Sequence, residues 1–321
     1  MNKVPRLDIA HLPTPVEAMP RLTDVLGGPR LFVKRDDQTG LAFGGNKTRK
    51  LEFLVAEARA EGADMLITAG AIQSNHCRQT AAAAARFGFE CLLVLFGDAP
   101  QEPSANLWLD EFFGAKITYT DRDRRDAVLQ RTYERAKGEG HKPYLVPYGG
   151  SNATGALGYA FAIQELTAQR MAADWIVFPS SSGGTQAGMV LGARLFGFKG
   201  RLLGISVDEP QAELRQKVAR LASEAAERLG EHVTFAADEV LVNADYCAAG
   251  YGQLTQPERA AIQLFARTEG LLIDPVYTGR AAAGMLDLIR KGFFTPGETV
   301  LFWHTGGTPA LFAEQYSMAL L

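Results

Sequence analysis

Nine short apolar runs, most of them separated by stretches of helix length, constrain this chain more than any other feature. They are "RLFVKR" (30–35), "MLITAG" (65–70), "CLLVLF" (91–96), "AKITYT" (115–120), "PYLVPY" (143–148), "WIVFPS" (175–180), "RLLGISV" (201–207), "EVLVN" (239–243) and "VLFWHTG" (300–306). Strand-like runs alternating with helical patterns describe an α/β chain with a largely parallel sheet covered by helices. Nine strands exceed one ordinary open sheet, so two open twisted sheets flanked by helices are expected. The intervening stretches carry the other period. After Lys47, the apolar residues Leu51, Leu54, Val55 and Ala58 fall at i, i+3, i+4 and i+7, so a helix starts close to Lys47. Further helices are expected at the alanine run 81–85 and near 105–113, 123–137, 152–169, 186–195, 211–228, 256–268 and 279–290.

A chain of 321 residues, 47% hydrophobic, buries a sizeable core as one large domain or two smaller ones. Its 33 basic and 36 acidic residues leave a net charge of -3, which gives no positive field for nucleic acid or anionic lipid. Cys77, Cys91 and Cys247 form no disulfide framework and no CxxC pair, and the five histidines show no metal-binding spacing, so no metal is expected. No stretch has the apolar core of a signal peptide or the roughly 20 apolar residues that span a bilayer. A soluble, cytoplasmic protein is expected.

Four stretches have the make-up of a site. In "FPSSSGGTQAGMV" (178–190) a strand ends in serines, and Gly183 and Gly184 permit a tight turn whose N–H groups converge. Thr185 and Gln186 then open a helix whose dipole favours an anion, which makes a cradle for one phosphate. The pattern is neither GxGxxG nor GxxxxGK[ST], and a plain capped helix is its alternative. "TAGAIQSNHCRQT" (68–80) places Gln73, Ser74, Asn75 and His76 at a helix start, where a small carboxylate fits or where Ser74 or Asn75 is simply an N-cap. Tyr277 in "IDPVYTG" and Tyr251 in "AGYGQ" are acid–base candidates or packing residues. In "HTGGT", Thr305 is placed where it could reach a ligand, while His304 reads equally as a structural histidine or a proton carrier.

"FGGNKTRKLEF" (43–53) sets Lys47 between a glycine pair and a helix start. Alone, that is a solvated lysine. With a phosphate cradle, a carboxylate loop, candidate tyrosines and no metal ligands, it fits the lysine that covalently binds an aldehyde cofactor.

These motifs, with "HLPTPVE", "VKRDD" and "GGSNATGALGY", resemble in the same order the pyridoxal-phosphate enzymes of tryptophan-synthase-β-like fold (fold type II). The similar branch contains D-cysteine desulfhydrase and 1-aminocyclopropane-1-carboxylate deaminase. The resemblance implies pyridoxal 5'-phosphate, a small amino-acid substrate and a homodimer. It also implies a large cofactor domain (1–48 and 162–321) with a small α/β domain (49–161) inserted. Lys47 matches the Schiff-base lysine, Asn75 the residue beside the ring hydroxyl, and Gln73, Ser74 and Asn75 the substrate-carboxylate loop. Ser181, Gly183, Gly184, Thr185, Gln186, Ala187 and Gly188 match the phosphate cup, and Tyr251 and Tyr277 the tyrosines facing substrate. Lys47, Ser74, Tyr251 and Tyr277 are thus the expected catalytic residues.

Ring-opening deaminases carry a glutamate where this chain has Thr278, whereas desulfhydrase-like members share its "VYTG" and "HTGG", with Thr305 toward the ring nitrogen. A neutral threonine holds that nitrogen protonated less firmly than a carboxylate, which favours ordinary β-elimination. Gln186 and "GGNKTRK" lean toward L-cysteate sulfo-lyases, "AIQSNH" leans toward desulfhydrases, and the span 97–106 is shorter than its usual counterpart. The expected activity is desulfhydration of D-cysteine. The alternatives are an L-cysteate sulfo-lyase, a 1-aminocyclopropane-1-carboxylate deaminase, and a non-catalytic amino-acid-binding module.

Overall fold

A computed structural model describes residues 3–321, which form two sheets flanked by helices. Elements are numbered along the chain. The larger sheet has the order β1 (Val16–Ala18), β2 (Arg30–Arg35), β10 (Thr299–His304), β7 (Trp175–Ser180), β8 (Arg201–Ser206), β9 (Leu241–Asn243). The smaller has the order β5 (Lys116–Thr120), β4 (Glu90–Phe96), β3 (Met65–Ala71), β6 (Pro143–Leu145). Only β1 runs antiparallel to its neighbour. The helices are α1 (Pro20–Leu26), α2 (Asn46–Ala60), α3 (Asn75–Phe87), α4 (Ala105–Phe112), α5 (Arg125–Gly138), α6 (Ala153–Ala168), α7 (Gly184–Phe196), α8 (Gln211–Arg228), α9 (Gln256–Glu269), α10 (Thr278–Arg290) and α11 (Glu314–Leu320).

All nine apolar runs form strands. Three stop early, β8 at Ser206, β6 at Leu145 before the Pro147 turn, and β10 at His304 before Gly306 and Gly307, both at positive φ. The elements not expected are β1, α1 and α11, which at three and seven residues are too short to display a period. In β7 and β10 every residue is buried, because helices cover both faces. Trp175, Val177, Val300 and Phe302 pack on the side of α9 and α10. Ile176, Phe178, Leu301 and Trp303 pack on the side of α6 and α7.

Beneath the α2 start lies a buried ionic cluster. The Asp36 carboxylate accepts from Thr14 Oγ1 (2.8 Å), Arg49 Nη2 (2.8 Å) and Nε (2.8 Å), Tyr159 OH (2.6 Å) and Trp303 Nε1 (2.8 Å). Glu165 on α6 takes the other side of Arg49 at 2.9 Å and Lys34 at 2.5 Å. One carboxylate therefore joins β10, α2 and α6. Burial works against its charge, but the Arg49 guanidinium and the remaining donors hold Asp36 down at about 2. Replacing Asp36 with Ala leaves Arg49 short of a buried partner, so denaturant titration at neutral pH should show a loss of about 3–5 kcal/mol. An Asp36 depressed to about 2 stabilises the fold above the unfolded carboxyl's range, near 4. The gap between wild type and Asp36→Ala should therefore narrow as pH falls from about 4 toward 2; a gap that is constant with pH contradicts the assignment.

Candidate active site

The C-terminal ends of β3, β7 and β10 and the start of α2 open into one pocket lined by Lys47, Ser74, Asn75, His76, Tyr277 and Thr305, together with the 180–183 loop. Open α/β sheets place ligands at such strand ends. Lys47 reaches it through a turn that only glycine permits. Gly44 (φ 64°) would put a Cβ 2.1 Å from Asp37 O, and Gly45 (φ 124°) accommodates the neighbouring Thr305 carbonyl. The turn hangs from the cluster below it, with Gly45 N–H donating to Asp36 O at 2.9 Å and Asn46 N–H to Thr305 O at 2.9 Å. Lys47 Nζ donates to Gly149 O (3.2 Å), which also accepts from Lys50 Nζ (3.0 Å). Lys47 faces the pocket yet sits deep in the protein, and burial lowers its pKa to about 8.

Ser74 is both N-cap and pocket residue. Its Oγ accepts from Cys77 N–H at 3.2 Å, which leaves the hydroxyl proton for the pocket. Asn75 follows into the pocket, whereas the Gln73 side chain turns away to bond Ser104 and Asn106. His76 Nε2 lies 2.9 Å from Thr68 Oγ1, which donates its single proton to Val146 O at 2.8 Å. Nε2 is therefore the donor, and Nδ1 is a bare acceptor, buried without a partner. Burial and the nearby Lys47 and Lys50 push the His76 pKa well down and keep the ring neutral.

Ser181, Ser182, Gly183 and Thr185 line the pocket at the start of α7, joined by Ser180, whose buried Oγ lacks a partner. Ser151 braces this turn, its Oγ 2.7 Å from Ser182 Oγ and accepting from Gly184 N–H at 3.2 Å. The rest of the expected cup points elsewhere. Gln186 donates to Leu241 O at 2.8 Å, Ala187 packs into the α6–α8 core, and Gly188 lets α7 approach Ala156 O, 2.0 Å from where a Cβ would lie.

Asp274 sets the tyrosine wall: its carboxylate accepts from Val276 N (3.0 Å), Tyr277 N (3.0 Å) and Thr278 N (2.7 Å). The Thr278 hydroxyl is committed to Asp274 at 2.6 Å, so of Thr278 and Thr305 only Thr305 lines the pocket. Tyr251 stands behind Tyr277, their hydroxyls 2.7 Å apart, and burial raises both pKa values well above the phenol range. The Tyr251 loop is held by buried Arg280, which donates to Gly250 O (2.8 Å), Gln253 O (2.9 Å) and Glu258 Oε1 (2.8 Å). His304 is a satisfied structural histidine, with Nε2 at 3.2 Å from Leu272 O and Nδ1 accepting from Gly306 N–H.

The family model described as "Pyridoxal-phosphate dependent enzyme" matches residues 7–306. The chain belongs to this family of pyridoxal-phosphate-dependent enzymes. It is 43% identical over 322 residues to the D-cysteine desulfhydrase of Klebsiella pneumoniae subsp. pneumoniae, covering 98% of this chain and 97% of that protein. A crystal structure of an ACC deaminase homologue superposes with a TM-score of 0.91 at 38% identity, over 99% of this chain and 97% of the other. A fungal L-serine ammonia-lyase from Rhizomucor miehei, with a TM-score of 0.70 and 17% identity over 99% and 98% of the two chains, shares the fold alone.

The pocket fits the family's cofactor on its own chemistry. Helix α7 aims a serine- and glycine-rich N-terminus at it, Lys47 would offer an amine to an aldehyde, and Ser180 Oγ and His76 Nδ1 are buried polar atoms with no hydrogen-bond partner in the protein. Sequence reasoning missed Asn46, Tyr148, Gly149 and Ser180 as pocket residues. The "PYGG" turn after a strand-like run was the available signal for Tyr148 and Gly149. A lysine near 8 is a free amine at far lower pH than the ordinary 10.5. Reductive methylation of the apoprotein, followed by peptide mass spectrometry, should half-label Lys47 near pH 8; half-labelling near that of surface lysines contradicts the burial argument.

Proposed function

We propose that this enzyme catalyses β-elimination of D-cysteine, which with one water gives pyruvate, ammonia and hydrogen sulfide. The observation that carries the reading is Lys47, a half-buried amine with its pKa lowered to about 8, which shares one pocket with the Ser74–Asn75 loop, Tyr277 and the α7 N-terminus. Residues 181–185, Lys47, Asn75 and Thr305 hold pyridoxal phosphate. When bound, it supplies an aldehyde for the substrate amine and a ring that accepts the electrons released at Cα. Ser74 and Asn75 orient the carboxylate. Lys47 Nζ, a free amine in part at neutral pH, takes the α-proton, and the Tyr277 hydroxyl, backed by Tyr251, delivers a proton to the departing sulfur. The 43% identity to a D-cysteine desulfhydrase supports this choice, as does an uncharged Thr305 in the pocket with Thr278 tied to Asp274. Gln186, buried behind the pocket on Leu241, bears on substrate choice only indirectly.

We read residues 1–48 and 162–321 as the cofactor domain and 49–161 as the inserted domain, a division supported by the confinement of the smaller sheet to 65–145. The exposed apolar residues Phe43, Trp108, Phe112 and Phe312 support a homodimer. Three free cysteines, two of them buried, support a reducing cytoplasm. Among the described residues no helix is long and apolar enough to cross a membrane.

Product-resolved kinetics on D-cysteine, L-cysteine, L-cysteate, D-serine and 1-aminocyclopropane-1-carboxylate should give sulfide from D-cysteine as the highest kcat/KM. Predominant sulfite or 2-oxobutanoate overturns the choice, and inactivity of the fully loaded protein on the whole panel points to a binding module. Lys47→Ala should lower turnover by roughly 10³-fold or more. Tyr277→Phe should cost about 10²-fold and Tyr251→Phe about 10-fold, since only the first removes a hydroxyl from the pocket wall.

A further inference from the structure

Asn106, the second residue of α4, is fully buried and grips the Gln73–Asn75 loop from behind. Its Nδ2 donates to Gln73 O (2.9 Å) and to Asn75 Oδ1 (3.0 Å), and its backbone N–H donates to Gln73 Oε1 (2.9 Å). Gln73 returns the contact through Nε2 to Ser104 O at 3.0 Å. Asn106 Oδ1 accepts from Arg78 Nη1 at 2.6 Å, and the same nitrogen reaches Asn75 Oδ1 at 2.9 Å. Two donors thus saturate the Asn75 amide oxygen. The amide nitrogen is left as the free end; it lies 2.9 Å from where a Cβ on Gly307 would stand. To bring Asn106 into place the backbone enters the left-handed region at Ala105 (φ 51°), which residues other than glycine rarely adopt.

We propose that Asn106, backed by Arg78, is a positioning residue for the reaction: it locks the Asn75 amide and the Gln73–Asn75 loop so that N–H and O–H donors face the substrate carboxylate. The inference rests on reading that loop as the carboxylate site. The physical need is one of orientation. A terminal amide has two nearly isosteric orientations, and the wrong one turns a carbonyl oxygen toward an anion.

Alanine carries the substrate's ammonium and carboxylate with no leaving group, and ethylamine is the same molecule without the carboxylate. Titrating holoenzyme with each, following the cofactor's absorbance, gives two dissociation constants; whichever alanine enantiomer binds tighter is used throughout. Asn106→Ala should weaken alanine about 10-fold or more and ethylamine less than about 2-fold. Asn106→Asp keeps an oxygen toward Arg78 but removes both side-chain donors, and should lose as much alanine affinity. Should these variants not fold, Gln73→Leu removes the Gln73 side-chain bonds to Ser104 O and the Asn106 N–H and is expected to show the same split. Unchanged alanine affinity, or equal weakening of both ligands, overturns the role of Asn106 alone. A wild type that binds alanine no tighter than ethylamine overturns the carboxylate reading and this proposal with it.

Discussion

The Asp36 carboxylate, buried under five side-chain donors, is the interaction on which the rest of the structure depends. Its donors come from the segment before β1, from α2, from α6 and from β10, so it ties the two ends of the chain to the middle. Its backbone oxygen also holds Gly45, two residues before Lys47. An unpaired charge in that position would be costly, and so the cluster tolerates little displacement of any member. Rigidity at the α2 start follows directly.

That rigidity gives the pocket its chemistry. Lys47 emerges from a turn pinned by backbone hydrogen bonds into a site where burial lowers its pKa to about 8. Lys50, beside it, is buried too, with its pKa well lowered by burial and by Lys47 itself. Around these amines stand neutral groups: His76 with a fixed tautomer, two tyrosines sharing one hydrogen bond, and hydroxyls from α7. The lining of the pocket carries no carboxylate, and Asp208 stands behind it, hydrogen-bonded to Ser181.

Much of this was legible in the sequence wherever the signal was local. Runs such as "WIVFPS" and "VLFWHTG" are long and apolar enough to require burial on both faces, and the period after Lys47 sets the start of α2 to within a residue. The glycines at 44 and 45 announced a turn, and Ser74 an N-cap. Side-chain direction was not legible. Gln73, Gln186 and Gly188 sit within motifs that contribute to the pocket, yet each is spent on packing or on a backbone carbonyl outside it. Tyr148 and Ser180 were passed over because their exposure to the pocket depends on segments far along the chain.

By itself, then, the sequence determined the alternation of strands and helices, the turn that carries the lysine and, through a series of motifs in order, the family. Those features depend on backbone preferences and burial within a few residues of each position, which any single chain reveals. Only the tertiary structure decided which of the motif residues meet, how far the lysine's proton affinity falls, which tautomer His76 adopts and which end of Asn75 faces the pocket. The last two are each set by a partner remote in sequence: Val146 for Thr68, and Asn106 for Asn75. Hydrogen bonds of that kind are directional, and their direction exists only once the chain has closed.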